Sequence, residues 1–157
     1  MADNFNLNAS AAQNVAAQAA EESKEYFKEV TDEKGVTKFV LVDEVRKQIE
    51  EKTREIMQTK NLKKVFPVVV KGEEGDSKPF YVAYFRRPDM ATYARFMATV
   101  QNDEVQASMF LAQNTIIDGD AELVNDEDLF IFGTMNQLGP IVAGRSGEVV
   151  KLQSVGK

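Results

Sequence analysis

The chain contains no cysteine, no histidine and no tryptophan, and only four prolines and nine glycines among its 157 residues. Without cysteine there is no disulfide, thiolate nucleophile or thiolate metal ligand, which suits a reducing compartment. Without histidine there is no ready general base near neutral pH, no imidazole ligand for zinc, and no Ser-His or Cys-His pair. Chemistry would have to rest on carboxylates, lysine, tyrosine, or a hard cation held by oxygen alone. The scarcity of glycine and proline excludes a collagen-like or low-complexity chain. No apolar stretch approaches the roughly 18–20 residues that a membrane-spanning helix needs. The opening Met1-Ala2-Asp3-Asn4-Phe5 lacks the basic-then-apolar order of a secretory signal. These absences lead to the expectation of a cytoplasmic protein that is not an enzyme, carries no cofactor or metal and meets no membrane.

What is present fits one globular unit: 43% hydrophobic and 28% charged residues, with a net charge of −6. Nucleic-acid binding draws on clustered cations that neutralise phosphate. Residues 1–62 hold nine basic and twelve acidic side chains and residues 63–157 ten and thirteen, so neither part is basic and no nucleic-acid partner is expected.

The sequence predicts an α+β chain in which β-hairpins precede a small helical bundle, with an Ala-rich helix ahead of them. Residues 1–9 are polar and read as mobile. Ser10 caps an Ala-rich helix to about Glu25 whose only large apolar residue is Val15, so it has little to bury alone. Asp32-Glu33-Lys34-Gly35 separates two strand-like runs over residues 26–42. Asp43 then stands as an N-cap for a helix to about Thr59, with Val42, Val45, Ile49, Ile56 and Met57 on one side. Residues 63–71 and 79–86 form a second hairpin around a charged loop, with Pro67 placing the first strand at an edge or a bulge.

From Pro88 the pattern turns helical. Asp89 favours a helix start, and Met90, Tyr93, Phe96, Met97 and Val100 mark one face. Asn102-Asp103 opens the next helix, with Val105, Met109, Phe110, Leu111 and Ala112 inward. Ile116-Ile117 ends it, and Asp118-Gly119-Asp120 reads as a turn. A further helix is predicted from Asp126 to about Leu138, and Glu148–Leu152 as a short strand. This gives an N-terminal extension over 1–62, a core of hairpin and three helices over 63–140, and a flexible tail over 141–157.

The acids Asp118, Asp120, Glu122, Asp126, Glu127 and Asp128 invite a calcium-loop reading. Counted from Asp118, however, the sixth and twelfth positions are Leu123 and Leu129, where glycine and glutamate belong. Helix capping by Asn125 or Asp126 accounts for them better. A carboxylate-dependent metal enzyme is the weaker reading. Arg86-Arg87 after the aromatic run 80–85 resembles a stacking platform for single strands, but the RNA-binding aromatic motif is missing. Pairing of those arginines with nearby carboxylates is expected instead. No phosphate-cradling glycine loop occurs.

One stretch resembles a known family. An aromatic strand ends in Tyr84-Phe85-Arg86-Arg87-Pro88 and runs into Asp89-Met90-Ala91-Thr92-Tyr93. After it come an apolar helix through Ala107–Leu111, then Ile116-Ile117-Asp118-Gly119-Asp120-Ala121-Glu122-Leu123, then Asp126-Glu127-Asp128-Leu129-Phe130. This order is similar to that of small tail-assembly chaperone-like proteins of tailed bacteriophages, over residues 63–138. The resemblance implies a β-hairpin followed by helices, no catalytic residues, and helix-face binding to an elongated phage tail protein in the host cytoplasm. The expected partner surface is the apolar helix face around Phe96, Met97, Phe110 and Phe130, with Arg86 and Arg87 at its rim. The alternative is a structural head or tail component of the virion that forms homo-oligomers through residues 10–59.

Overall fold

The computed structural model describes residues 26–154 and 156. The Ala-rich helix with its Ser10 cap lies outside the described residues. The fold is α+β. Strands β1 (Phe27–Thr31) and β2 (Thr37–Leu41) form an antiparallel hairpin, turned by Asp32–Gly35 with Gly35 at φ +79°. Helix α1 (Asp43–Thr59) follows, and Asp43 is its first residue rather than its cap; Val42 occupies the cap position without a side-chain bond. A second hairpin, β3 (Val65–Lys71) and β4 (Phe80–Arg86), leads to α2 (Met90–Val100) and α3 (Glu104–Thr115). Then come β5 (Ile116–Gly119), α4 (Glu122–Asn125), α5 (Glu127–Phe132), a 3₁₀ turn (Thr134–Gln137) and α6 (Gly139–Val142).

Strands β3, β4 and β5 make an antiparallel sheet in that order, so Pro67 sits on an edge strand, where its missing amide costs no ladder bond. Side chains alternate across the pleat. Phe66, Val68 and Val70 join Tyr81, Ala83 and Phe85 on one face, where α2 to α6 cover them with Phe96, Leu111, Leu123, Phe130 and Ile141. Val65 and Val69 join Phe80, Val82 and Tyr84 on the other face, which α1 covers with Val45, Ile49 and Ile56. Each of those α1 side chains contributes about 1.5–3 kcal/mol on burial. The division at residue 62 therefore falls between two elements of one packed body. The first hairpin is tied in by rings: Phe80 meets Tyr26 at 5.1 Å and Phe27 at 6.1 Å, both edge-on.

Three further expectations differ from the structure. Ile116–Gly119 is a strand, not a helix end and turn, because β4 offers it a free edge: Ala83 pairs with Gly119 and Tyr84 with Asp118. The helix expected over Asp126–Leu138 breaks at Gly133, where a β-carbon would stand 2.7 Å from Val70 Cγ1 and 2.6 Å from the Leu129 carbonyl oxygen. The chain passes so close to β3 there that only glycine fits. The segment after 140 begins with a turn of helix whose Ile141 is in the core, while Glu148–Leu152 forms no strand.

Gly119 has a second role. It adopts φ +94°, and a β-carbon there would run into the Val82 carbonyl oxygen and lie 2.8 Å from Ala83 Cα. Gly119→Ala is expected to lower unfolding free energy by about 2 kcal/mol or more, from the left-handed backbone and the clash together. Gly139→Ala, with open space at its β-carbon, should match or slightly exceed the parent. Urea denaturation of both variants checks this.

Candidate functional site

Helix α2 starts where Asp89 accepts a hydrogen bond from the Thr92 amide at 2.8 Å. Asp103 caps α3 through the Gln106 amide, and Asp126 caps α5 through the Leu129 amide, each at 2.9 Å. These caps fix the entry of the helices that cover the sheet. On α2 the buried positions are Thr92 and Phe96, with Val100 partly buried beyond them. That is a stripe at four-residue steps.

A second stripe, at steps of three and four, points to solvent: Met90 is 88% exposed, Tyr93 41% and Met97 47%. The five apolar residues assigned to one face of α2 form one broad arc, and only its Phe96–Val100 edge packs inward. Beside the buried stripe lies a groove of about 350 Å³, lined by Phe96, Val100, Leu111, Met135, Leu138 and Val142 among others.

The structure places the anticipated partner residues unequally. Met97 is exposed, and Phe96 is in the core at the floor of the groove. Phe110 is half-buried under the Arg95 guanidinium, 4.3 Å from its ring centroid. Phe130 is 0% exposed, so it can meet no partner while the fold is intact and it leaves the candidate surface. Phe132, two residues on, is 76% exposed. Met90 and Tyr93 share the exposed stripe with Met97; periodicity alone does not tell which of two adjacent apolar stripes packs inward.

Arg86 and Arg87 do stand at the end of β4, but they pair with no carboxylate among the described residues. Arg86 donates to the Asn114 carbonyl at 3.2 Å and the Arg87 carbonyl at 3.5 Å, and Arg87 donates to the Ala143 carbonyl at 3.2 Å.

The acidic corner holds the opposite end of β4. Asp120 accepts from Lys78 Nζ at 2.7 Å and from the Val82 amide at 2.9 Å, while its own amide donates to the Val82 carbonyl at 2.8 Å. Glu122 lies 3.5 Å from the same ammonium. The hydrogen bond to Asp120 raises the Lys78 pKa against an opposing desolvation, and the charges of Asp120 and Glu122 add to it. The lysine is thus charged wherever the protein is folded at neutral pH. Burial pushes the Tyr84 phenol up, and the charges of Asp118, Asp120 and Glu55 push the same way, so it stays protonated. Among the described residues no cluster of three or more acids is disposed to hold a metal ion. No helix among them is long and apolar enough to cross a membrane.

Comparison with protein-family models, with curated proteins and with solved structures finds no match.

The Asp89 cap has a pH signature. The backbone hydrogen bond from Thr92, with help from the Arg86 charge, holds its carboxyl below the ordinary value of 3.8. A depressed pKa gives stability that is present above the unfolded value and lost as pH falls through the folded one. Asp89→Ala should therefore lower the urea midpoint at pH 7. The deficit should shrink below pH 3.8 as the parent carboxyl protonates. Urea titrations of both proteins at neutral and acid pH check this.

Proposed function

We propose that this chain is a non-catalytic phage assembly protein, tail-assembly chaperone-like, which holds a partner protein against the outer face of α2. The observation that carries the reading is the second apolar stripe. Met90, Tyr93 and Met97 lie on a helix that is already seated on the core through Thr92 and Phe96, so the fold does not need them. Large apolar side chains grouped on one exposed face are a mark of contact surfaces, and thioethers adapt to varied apolar partners. The groove at Phe96 and Val100, whose lining also includes Glu104, Ser108 and Asn136, extends that face, and the order of motifs over 63–138 points to an elongated tail protein as the occupant.

A second reading, an oligomeric component of the virion head or tail, draws on the first hairpin. Val30, Val36 and Phe39 are exposed there. They would serve contacts between copies.

Two measurements separate the readings. A chaperone should be monomeric, or concentration-dependent, in light scattering and absent from purified particles by quantitative mass spectrometry. A structural component should form a discrete closed oligomer and be present in them. For the α2 face, Met90→Asp combined with Met97→Asp should leave the unfolding free energy from urea denaturation within about 0.5 kcal/mol of the parent, as exposed sites do. It should also abolish the ability of the gene to restore particle assembly in a deletion background. Full restoration by that variant would remove the α2 face from the mechanism.

A further inference from the structure

A cavity of about 580 Å³ opens between the α1–β3 connection, the end of β4 and the segment after α6. Five cationic residues line it, Lys63, Lys64, Arg86, Arg87 and Arg145, together with Leu62, and no carboxylate does. In a chain of net charge −6 this is a concentration of one sign against the overall balance. None of the five makes an ion pair among the described residues; the pairs there join Lys28, Lys52, Arg54 and Lys78 to their acids. Arg86 acts on the Asp89 carboxyl, one oxygen of which accepts from the Thr92 amide.

Three of the five, Lys64, Arg86 and Arg87, are held in place by neutral groups. The Phe66 ring carries Lys64 Nζ at 5.4 Å and Arg87 Cζ at 5.7 Å from its centroid. Backbone carbonyls of Asn114, Arg87 and Ala143 take some of the guanidinium N–H groups. A carbonyl orients a guanidinium without cancelling its charge, and each arginine has five N–H donors, so donors remain for an anion.

We propose that this cavity binds a short acidic segment of the partner polypeptide. The proposal deepens the partner-holding reading above and rests on it. The charges come from three separate stretches of chain and surround a space larger than one oxyanion, which suits several carboxylates in a row. Leu62 lies in the wall, and exposed Met90 follows Arg87 by three residues. An occupant with apolar residues beside its acids would engage both and continue onto the α2 stripe. A long nucleic acid would instead have to run out over a surface whose net charge repels it.

The test is fluorescence anisotropy with the full chain and a labelled decapeptide of Glu and Asp containing two Leu. The comparison ligands are its Gln/Asn counterpart, inorganic pyrophosphate, and a single-stranded oligonucleotide of equal charge. The acidic peptide should bind, and roughly tenfold more weakly when salt rises from low to several hundred millimolar, as exposed charge pairs are screened. The amide counterpart should bind at least tenfold more weakly. Lys63→Glu with Arg145→Glu, both at exposed positions, should abolish binding with the melting curve unchanged; Arg87→Glu should do the same if it folds. Equal binding of acidic and amide peptides, or undiminished binding by the Lys63/Arg145 variant, would overturn the proposal. So would tighter binding of pyrophosphate or the oligonucleotide. Self-association lost in the same variant would make a second copy the occupant and overturn it too. If the peptide does not bind but the Met90/Met97 variant still blocks assembly, the acidic-segment proposal falls and the partner-holding reading stands. If neither effect is seen, both fall.

Discussion

Strand β4 is apolar on both faces, and most of the architecture answers that constraint. Ala83 and Phe85 are fully buried toward the helices, and Tyr84 is nearly so toward α1. A strand with one polar face could end a two-layer fold; this one requires cover on each side. The long helix α1 provides it on one side, and the succession α2 to α6 on the other. Both ladder edges of β4 must be paired as well, since buried amides and carbonyls are costly when unmade. That requirement recruits β3 along one edge and the short β5 along the other.

The ends of β4 are finished by opposite charges. At its start, Asp120 bonds the Val82 amide and anchors Lys78, so that the acids in this corner serve the backbone and one lysine. At its end, Arg86 and Arg87 bond carbonyls and keep their charge. Acidic residues elsewhere are drawn to helix starts, where Asp89, Asp103 and Asp126 satisfy otherwise unpaired amides. The surplus of acid in the composition is thus partly consumed by local backbone needs. The cations gathered around Phe66 have no such internal partner among the described residues, and this is why the two ends of the strand differ in what they offer to another molecule.

Local features were readable from the sequence because their causes are local. Gly35 and the residues before it announce the first turn, Asp89 and Asp103 announce helix starts, and Val45, Ile49 and Ile56 mark the buried side of α1. What could not be read depends on a distant partner. Ile116-Ile117-Asp118-Gly119 is a strand because β4 has an open edge, and four residues after a helix carry too little periodicity to announce it. Position 133, at the end of α5, takes glycine because Val70 and the Leu129 carbonyl stand where a β-carbon would be, and the place of Val70 is a fact about β3. Lys63-Lys64 and Arg86-Arg87 are conspicuous doublets on different stretches of chain. Only the fold brings them to one cavity with Arg145.

The same limit explains the candidate surface and gives it its shape. With one broad apolar arc on α2, the edge that packs is decided by the sheet below, and Phe96 wins over Met97 because it reaches the core shared with Ala83 and Phe85. The losing stripe is left at the surface, beginning three residues beyond Arg87. A partner that covered only the stripe would leave the five cations of the cavity unneutralised, and one that filled only the cavity would leave Met90 and Met97 in water. A segment combining acids and apolar residues resolves both. On the proposed reading the two features are parts of one extended contact rather than separate sites.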